Sequence, residues 1–403
     1  MSNIPELRFK EFSGEWEEKK FGDIFERVTT KNKENNLNVL TISAQQGLIS
    51  QEEYFNKSVS AKDVTGYYLL HKNDFAYNKS YSNGYPMGAI KRLSKYDKGV
   101  VSTLYICFKS KKDNVIFLEK YFDTTKWYKE VHKIAQEGVR NHGLLNISVV
   151  EFFRDVKIII PKKTEQQKIA SFLTIIDTKI EQLSKKVKLQ EQYKKGVMQK
   201  IFSGEIRFKK DDGSEFPEWE EKRLGDIGEF KSGTGFTELE QGGNEGIPFF
   251  KVSDMNIKEN QKYMIKANNY VNEEQILRLR YKPINKISII FAKVGAAIFL
   301  ERKRIAKKFL IDNNMMSFTP SENINFIKQW LDTVRLSKYA QTGALPSYNA
   351  SDLKIIKINL PHEDEQIKIA NFLSTLDKQI DSTKKQLAKT KEFKKGLLQR
   401  MFV

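Results

Sequence analysis

The sequence predicts an α+β protein: two mixed α/β domains separated by two long paired helices, with the whole chain circular in organisation. Three observations carry this. Residues 161–173 (PKKTEQQKIASFL) return at 361–373 (PHEDEQIKIANFL). A second block, EWEEKKFGDI at 15–24, returns as EWEEKRLGDI at 218–227. Each lysine-rich stretch after the first motif carries an apolar seam with helical spacing.

The first repeat is a duplication. Aligned without a gap at an offset of 200, residues 161–203 and 361–403 share 16 of 43 positions, among them Glu165, Gln166, Asp177, Lys194 and Lys195. The second block has an offset of 203, and an RFK lies upstream of each copy, at 8–10 and 207–209. That block therefore follows the first long segment but opens the chain. Residues 1–24 read as the missing tail of the second repeat, which makes sense if the two ends meet in space.

The long segments read as helices. Ile169, Leu173, Ile176, Ile180, Leu183 and Val187 fall at alternating steps of four and three, a heptad seam. The second copy places Ile369, Leu373, Leu376, Ile380 and Leu387 in the same way, with Thr383 between the last two. Pro161 and Pro361 stand just upstream, where a helix starts but does not extend backwards, with Thr164 and Asp364 as expected N-caps. Helices over 164–202 and 364–402 with a single apolar stripe need a partner helix, and the nearest is the other copy. The Glu-Gln pairs at 165–166 and 365–366 are expected to cap the helix starts. The domain reading is 1–160, 161–204, 205–360 and 361–403.

Between the helices, 25–160 and 228–360 read as mixed strand and helix in a shared order with little shared sequence. FAYNKSYSNGYPMGAI (75–90), ISIIFAKVGAAIFL (287–300), VVSTLYICFKS and MMSFTP read as strands and turns. FLEKYFDTTKWYKEV and NFIKQWLDTVRLSKYA read as amphipathic helices. KIIIP and KINLP read as last strands leading into the long helices. PEWEEK (217–222) reads as a strand edge or turn, its acids too crowded to serve a nuclease.

Composition narrows function. Hydrophobic residues are 39% of the chain, enough for packed cores, and 69 Lys and Arg against 51 Asp and Glu give +18, which favours a polyanionic partner. One cysteine, Cys107, excludes a disulfide framework and fits a reducing cytoplasm. Residues 1–20 lack an apolar signal core, and no run is long enough for a membrane helix. No P-loop, methyltransferase tetrapeptide, HExxH or metal-ligand cluster occurs, so no catalytic site and no cofactor are expected in this chain.

Two copies of PxxxEQxxIAxFL, each running into a lysine-rich helix that ends near KKGxxQ, with two divergent regions between them, resemble the specificity subunit of type I DNA restriction–modification enzymes. The resemblance spans the chain. It implies two target recognition domains that each read half of a bipartite, asymmetric double-stranded DNA target. It also implies a pseudo-two-fold circular arrangement in which the conserved helices form an antiparallel coiled coil. The implied partners are two methyltransferase subunits and the restriction (motor and nuclease) subunits, which carry S-adenosylmethionine, ATP and Mg. The other reading is a non-catalytic coiled-coil scaffold joining two ligand-binding domains without DNA.

Base-reading residues follow from side-chain chemistry, since Asn and Gln pair with adenine and Lys and Arg with guanine or phosphate. In the first region these are Gln45 and Gln46; Lys79, Ser80, Tyr81, Asn83 and Tyr85; and Arg140, Asn141 and His142. In the second they are Lys251 and Ser253, Lys293, and Ser347, Tyr348 and Asn349, with Arg302, Lys303 and Arg304 as phosphate contacts.

Overall fold

The protein, seen in a computed structural model, is described over residues 2–43, 46–56, 60–61, 63–81, 84–135, 145–341, 343 and 345–403. It divides into two compact units. Unit 1 comprises residues 1–185 with 384–403, and unit 2 comprises residues 186–383. The division falls inside both long helices, so each unit holds part of each one.

Unit 1 runs β1 (Glu17–Lys20), α1 (Phe21–Ile24), β2 (Phe25–Arg27), β3 (Leu40–Ser43), β4 (Gly47–Ser50), α2 (Gln51–Phe55), β5 (Tyr68–His71), β6 (Phe75–Asn78), β7 (Ala89–Arg92), β8 (Lys98–Val101), β9 (Ile106–Ser110), α3 (Val115–Phe122), α4 (Tyr128–Ile134), α5 (Val149–Asp155) and β10 (Lys157–Ile160). The main sheet is antiparallel in the order β2-β9-β6-β7. Phe75 pairs across with Phe108, and the two rings stack at 5.5 Å. Phe21, Phe25, Phe117, Trp127 and Phe152 complete a largely aromatic core, where each ring buries a large apolar area. The helix expected over 117–131 is two helices. Thr124 Oγ1 donates to the Tyr121 carbonyl and accepts from the Lys126 amide, so the side chain competes with the helical ladder and ends it.

Between the long helices, α6 (Lys163–Phe202) and α10 (Glu363–Met401), unit 2 repeats the plan. It runs β11 (Glu220–Arg223), β12 (Gly228–Ser232), β13 (Ile247–Phe250), β14 (Tyr270–Val271), α7 (Glu273–Arg278), β15 (Ser288–Ala292), β16 (Lys303–Ala306), β17 (Leu310–Ile311), β18 (Met315–Pro320), α8 (Ile324–Thr333), α9 (Ala350–Lys354) and β19 (Lys357–Leu360). Its main sheet has the order β12-β18-β15-β16, the same path as β2-β9-β6-β7. The entry strands match as well: β1 pairs antiparallel with β10, and β11 with β19. The EWEEK repeat is thus an edge strand in both units, as its sequence suggested.

The two long helices span 40 and 39 residues, each about 60 Å at 1.5 Å per residue. They begin one residue earlier than expected. The Gln166 and Gln366 amides donate to the Lys162 and His362 carbonyls, so those residues, and not Thr164 and Asp364, occupy the cap positions. In unit 1 the start of α6 lies beside the end of α10: Ile169, Leu173 and Ile176 share one core with Leu397, Met401 and Phe402. In unit 2 the roles reverse, with Ile369 and Leu373 beside Met198 and Ile201. The helices therefore run in opposite directions within each unit. Leu183 and Ile380 are buried, and Ile180, Val187, Leu376 and Leu387 half-buried. The first seam residues of each helix serve the domain core as well as the partner helix.

Two polar arrangements fix this geometry, and both occur twice. Glu165, buried in unit 1, accepts from Arg8 Nε at 2.8 Å, Arg8 Nη2 at 2.7 Å and Trp16 Nε1 at 3.3 Å. In unit 2, Glu365 accepts from Arg207 Nε at 2.9 Å, Trp219 Nε1 at 3.0 Å and the Phe208 amide at 3.2 Å. The RFK and EW of the second repeat thus close onto the Glu of the first, and the Glu is no cap. Gln166 and Gln366 donate to the carbonyls of Pro161 and Pro361 and accept from the amides of Asn114 and Asn323, the residues that cap α3 and α8. Deeper along the helices, Asp177 pairs with Lys394 and Lys120, each at 2.6 Å. Asp377 pairs with Lys194 at 2.6 Å and accepts from Gln329 at 3.0 Å.

The phase of the repeats is explained in unit 1. The Leu7 amide donates to the Arg400 carbonyl at 2.9 Å, and Trp16 packs edge-on against Phe402 at 6.2 Å. Residues 2–16 hold the end of α10 as 205–219 hold the end of α6.

Replacing Glu365 by Ala leaves Arg207 and the Trp219 indole without their acceptor. Loss of one partner of a buried ion pair costs about 3–5 kcal/mol. Denaturant melts should show unit 2 losing that stability while the matching Glu165→Ala weakens unit 1.

Burial pushes the Asp177 and Asp377 carboxyls up, but their lysine and glutamine partners outweigh it and hold both below the usual carboxylate range. A depressed folded pKa contributes stability that is present above about pH 4 and lost as pH falls through the folded value. Acid titration of stability should therefore show a loss below about pH 4 that is smaller in Asp177→Asn.

Candidate nucleic-acid interface

In both units an inner strand of the main sheet is followed directly by a lysine. Lys79 follows β6 and Lys293 follows β15. The chain beyond each strand is stitched to the segment that precedes the last short helix. The Lys79 carbonyl accepts from the Leu145 amide at 3.1 Å, and the Lys293 carbonyl from the Tyr348 amide at 3.3 Å. Loops far apart in sequence thus meet at one end of each sheet.

Both lysines are half-buried, with no acidic partner among the described residues. Desolvation lowers the pKa of Lys79. An ammonium without a carboxylate at the rim of a loop cluster is suited to an acceptor on a ligand.

The Lys79 loop turns through Gly88, whose φ of +76° and close approach to the Asn78 carbonyl leave no room for a side chain. Within it the Ser80 amide donates to Asn78 Oδ1, Tyr81 is exposed, and the Tyr85 ring lies 5.8 Å from Lys91 Nζ. Gln46 is exposed in the β3–β4 turn. Gln45, Asn83, Arg140, Asn141 and His142 lie outside the described residues.

In unit 2 the segment holding Ser347, Tyr348 and Asn349 lies against the chain that follows Lys293. Val294 bridges Ser347, and the Gly295 amide donates to the Pro346 carbonyl at 2.8 Å. Ser347 is half-buried and Asn349 exposed, its amide bound to Asp352 at the start of α9. Ser253 is exposed, while Lys251 donates to Gln241 Oε1 at 3.1 Å and Arg302 to Asn256 Oδ1 at 2.6 Å.

Two expectations are corrected. Lys303 is 2% exposed, and its ammonium binds Glu301 at 2.8 Å and the Val334 carbonyl at 2.9 Å, so it is a structural strut and not a phosphate contact. Tyr348 is also 2% exposed, its hydroxyl donating to the Ala292 carbonyl. Arg304 is half-buried, with Nε donating to the Asn260 carbonyl and Nη1 to the Lys303 carbonyl. Sequence reasoning passed over Arg335 and Lys338, exposed on the turn over residues 335–340, because RLSKY reads as the end of an amphipathic helix.

Among the described residues no group of His, Cys, Asp and Glu could hold a metal ion, and no helix is long and apolar enough to cross a membrane.

Residues 13–191 and 217–392 each match the type I restriction modification DNA specificity domain. The chain belongs to this family. Each specificity domain takes in one of the two recurring sheets. Among relatives, the type I restriction enzyme MjaVIII specificity subunit of Methanocaldococcus jannaschii is 24% identical over 436 aligned positions, covering 99% of this chain and 96% of the relative. The MjaIX specificity subunit of the same organism is 26% identical, covering 85% of this chain and 76% of the relative. The fold is shared with the type I restriction–modification S subunit from M. genitalium, at a TM-score of 0.54, 17% identity and 99% coverage of both chains. It is also shared with a chain from a structure of type I restriction–modification complex assembly, at a TM-score of 0.57, 15% identity and 96% coverage of both.

If each unit reads one half of a split DNA target, Lys79→Ala should weaken or relax reading of one half-site and Lys293→Ala the other, each by about 1–3 kcal/mol. Binding to duplexes altered in one half at a time measures this, and a Lys79 variant that relaxes both halves equally would refute the one-domain, one-half assignment.

Proposed function

We propose that this chain reads a split, asymmetric double-stranded DNA target, one half per unit, and docks two methyltransferase subunits and the restriction subunits that act on it. Methyl transfer with S-adenosylmethionine, and ATP- and Mg-dependent cleavage, belong to those partners in this reading, and the chain itself is non-catalytic. The observation that carries it is the repetition of one sheet order with diverged lysine-bearing loops at the same sheet end. One reader used twice suits a duplex, whose two half-sites present equivalent grooves. The +18 charge suits its phosphates. A scaffold without DNA gives no reason for the two lysines.

In this reading the long helices set the gap between half-sites. The place to alter it is inside the helices, between residues 185 and 186 and between 383 and 384. Residues beyond Phe202 are unsuitable, because they close onto Glu365. Seven residues added to each helix keep the seam in register and lengthen it by about 10 Å, or roughly three base pairs. Methylated motifs mapped in cells carrying the chain and its methyltransferase subunits should show a longer gap with unchanged half-sites. Changed bases with a fixed gap would refute the helices as spacer. Binding without steep salt dependence, or no DNA binding at all, would favour the scaffold.

A further inference from the structure

Unit 2 carries an apolar prominence that its core does not need. The turn over residues 296–300 buries Ile298 but leaves Phe299 61% and Leu300 55% exposed. Leu345, 65% exposed, lies beside Gly295 at the entry to the turn, since a Cβ added at Gly295 would come within 3.6 Å of its Cδ1. Exposed apolar clusters of this kind mark contact sites.

The prominence is firmly held. The Gly295 amide is bound to Pro346. Glu301, at a φ of +50°, ends the turn and accepts from the Leu336 amide at 3.0 Å, the Ser337 amide at 2.9 Å and buried Lys303 at 2.8 Å. A lysine buried to fix a turn that displays two apolar side chains indicates that the display matters.

Its surroundings are cationic. Lys293 opens the loop, and Arg335 and Lys338 are exposed on the turn that packs against it. The acid at the turn, Glu301, is already spent on Lys303 and two amides. An apolar centre with a cationic rim complements a major groove, which has phosphates at its edges and thymine C5-methyl groups as the apolar feature of its floor.

We infer that Phe299 and Leu300, backed by Leu345, read thymine methyl groups in the half-site that unit 2 takes. This rests on the DNA-reading function proposed above and adds to it a base preference for one half. Each methyl covered is worth roughly fourfold in affinity.

The test uses the full chain with its methyltransferase subunits and a duplex carrying the methylated motif mapped from cells. Thymines are replaced by uracil one half-site at a time. Uracil in one half should weaken binding roughly fourfold per methyl, and uracil in the other half should not. Phe299→Ala with Leu300→Ala should weaken binding to the thymine duplex and abolish the thymine–uracil difference. Leu239→Ala, 96% exposed on another turn, should preserve that difference. Both sets of side chains are largely exposed, so the variants should keep the parent melting temperature. A motif without thymine, equal binding of thymine and uracil duplexes, or a difference that survives in the double variant would overturn the inference while leaving DNA reading intact. Loss of methyltransferase association with unchanged DNA binding would make the prominence a protein-docking face and overturn it too. Failure of the parent chain to bind the duplex would remove the DNA reading, and this inference with it.

Discussion

The architecture depends on a buried carboxylate used twice. Glu165 and Glu365 sit at the start of each long helix and are each held by an arginine and a tryptophan indole from a distant segment. A charge taken out of water is stable only when such donors surround it. The arrangement therefore has one good solution, in which the RFK-to-EW segment closes over the helix start. That solution fixes where each helix leaves its sheet, and with it the direction of the seam. Phe9 against Phe172 and Phe208 against Phe372, at 5.6 and 5.7 Å, add apolar contact beside each clamp.

Above this constant base the two sheets vary freely in sequence. Their strand order is the same, but their cores are filled differently. Unit 1 uses a dense set of phenylalanines, and unit 2 relies more on isoleucine, methionine and leucine around Phe291, Phe318 and Trp330. Close packing tolerates such exchange when volume and pattern are kept. The loops at the far end are pinned at a few points, Gly88 in unit 1 and Ile298 and Tyr348 in unit 2, and the exposed positions between those points can change at little cost to the fold.

What could be read from sequence follows the range of the signal. Period-3.5 seams, strand runs and the repeat phase are local or self-referential, and they recovered both helices, the shared run of elements in the two regions and the meeting of residues 1–24 with the end of α10, while the strand order within each sheet was not read. The clamp was not legible. Glu165 beside Gln166 at a helix start looks like a cap, and nothing nearby in sequence points to Arg8 or Trp16 as its partners. ERKRIAKK looks like a phosphate patch because it is a run of cations. It lies in part on a strand, where alternation sends Lys303 and Ile305 to the buried face while Arg304 stays half-exposed. Read with a period of two, the run would have separated them. Tyr348 was misjudged for a related reason: a polar tip does not reveal which way a ring points.

The uneven division of the chain has a consequence for biogenesis. Unit 2 is one continuous stretch, residues 186–383, whereas unit 1 needs residues 384–403 to complete its core around Trp16 and Phe117. A nascent chain lacking those last twenty residues has every strand of both sheets but an unfinished unit 1, with the surface that Phe402 covers still open. Unit 2 can close as soon as α10 is half made. Unit 1 must wait, joined to its final piece across the whole of its neighbour, and the entropy of closing so long a loop makes that docking the last step. Order of synthesis and order of folding are therefore inverted: the domain made first matures last.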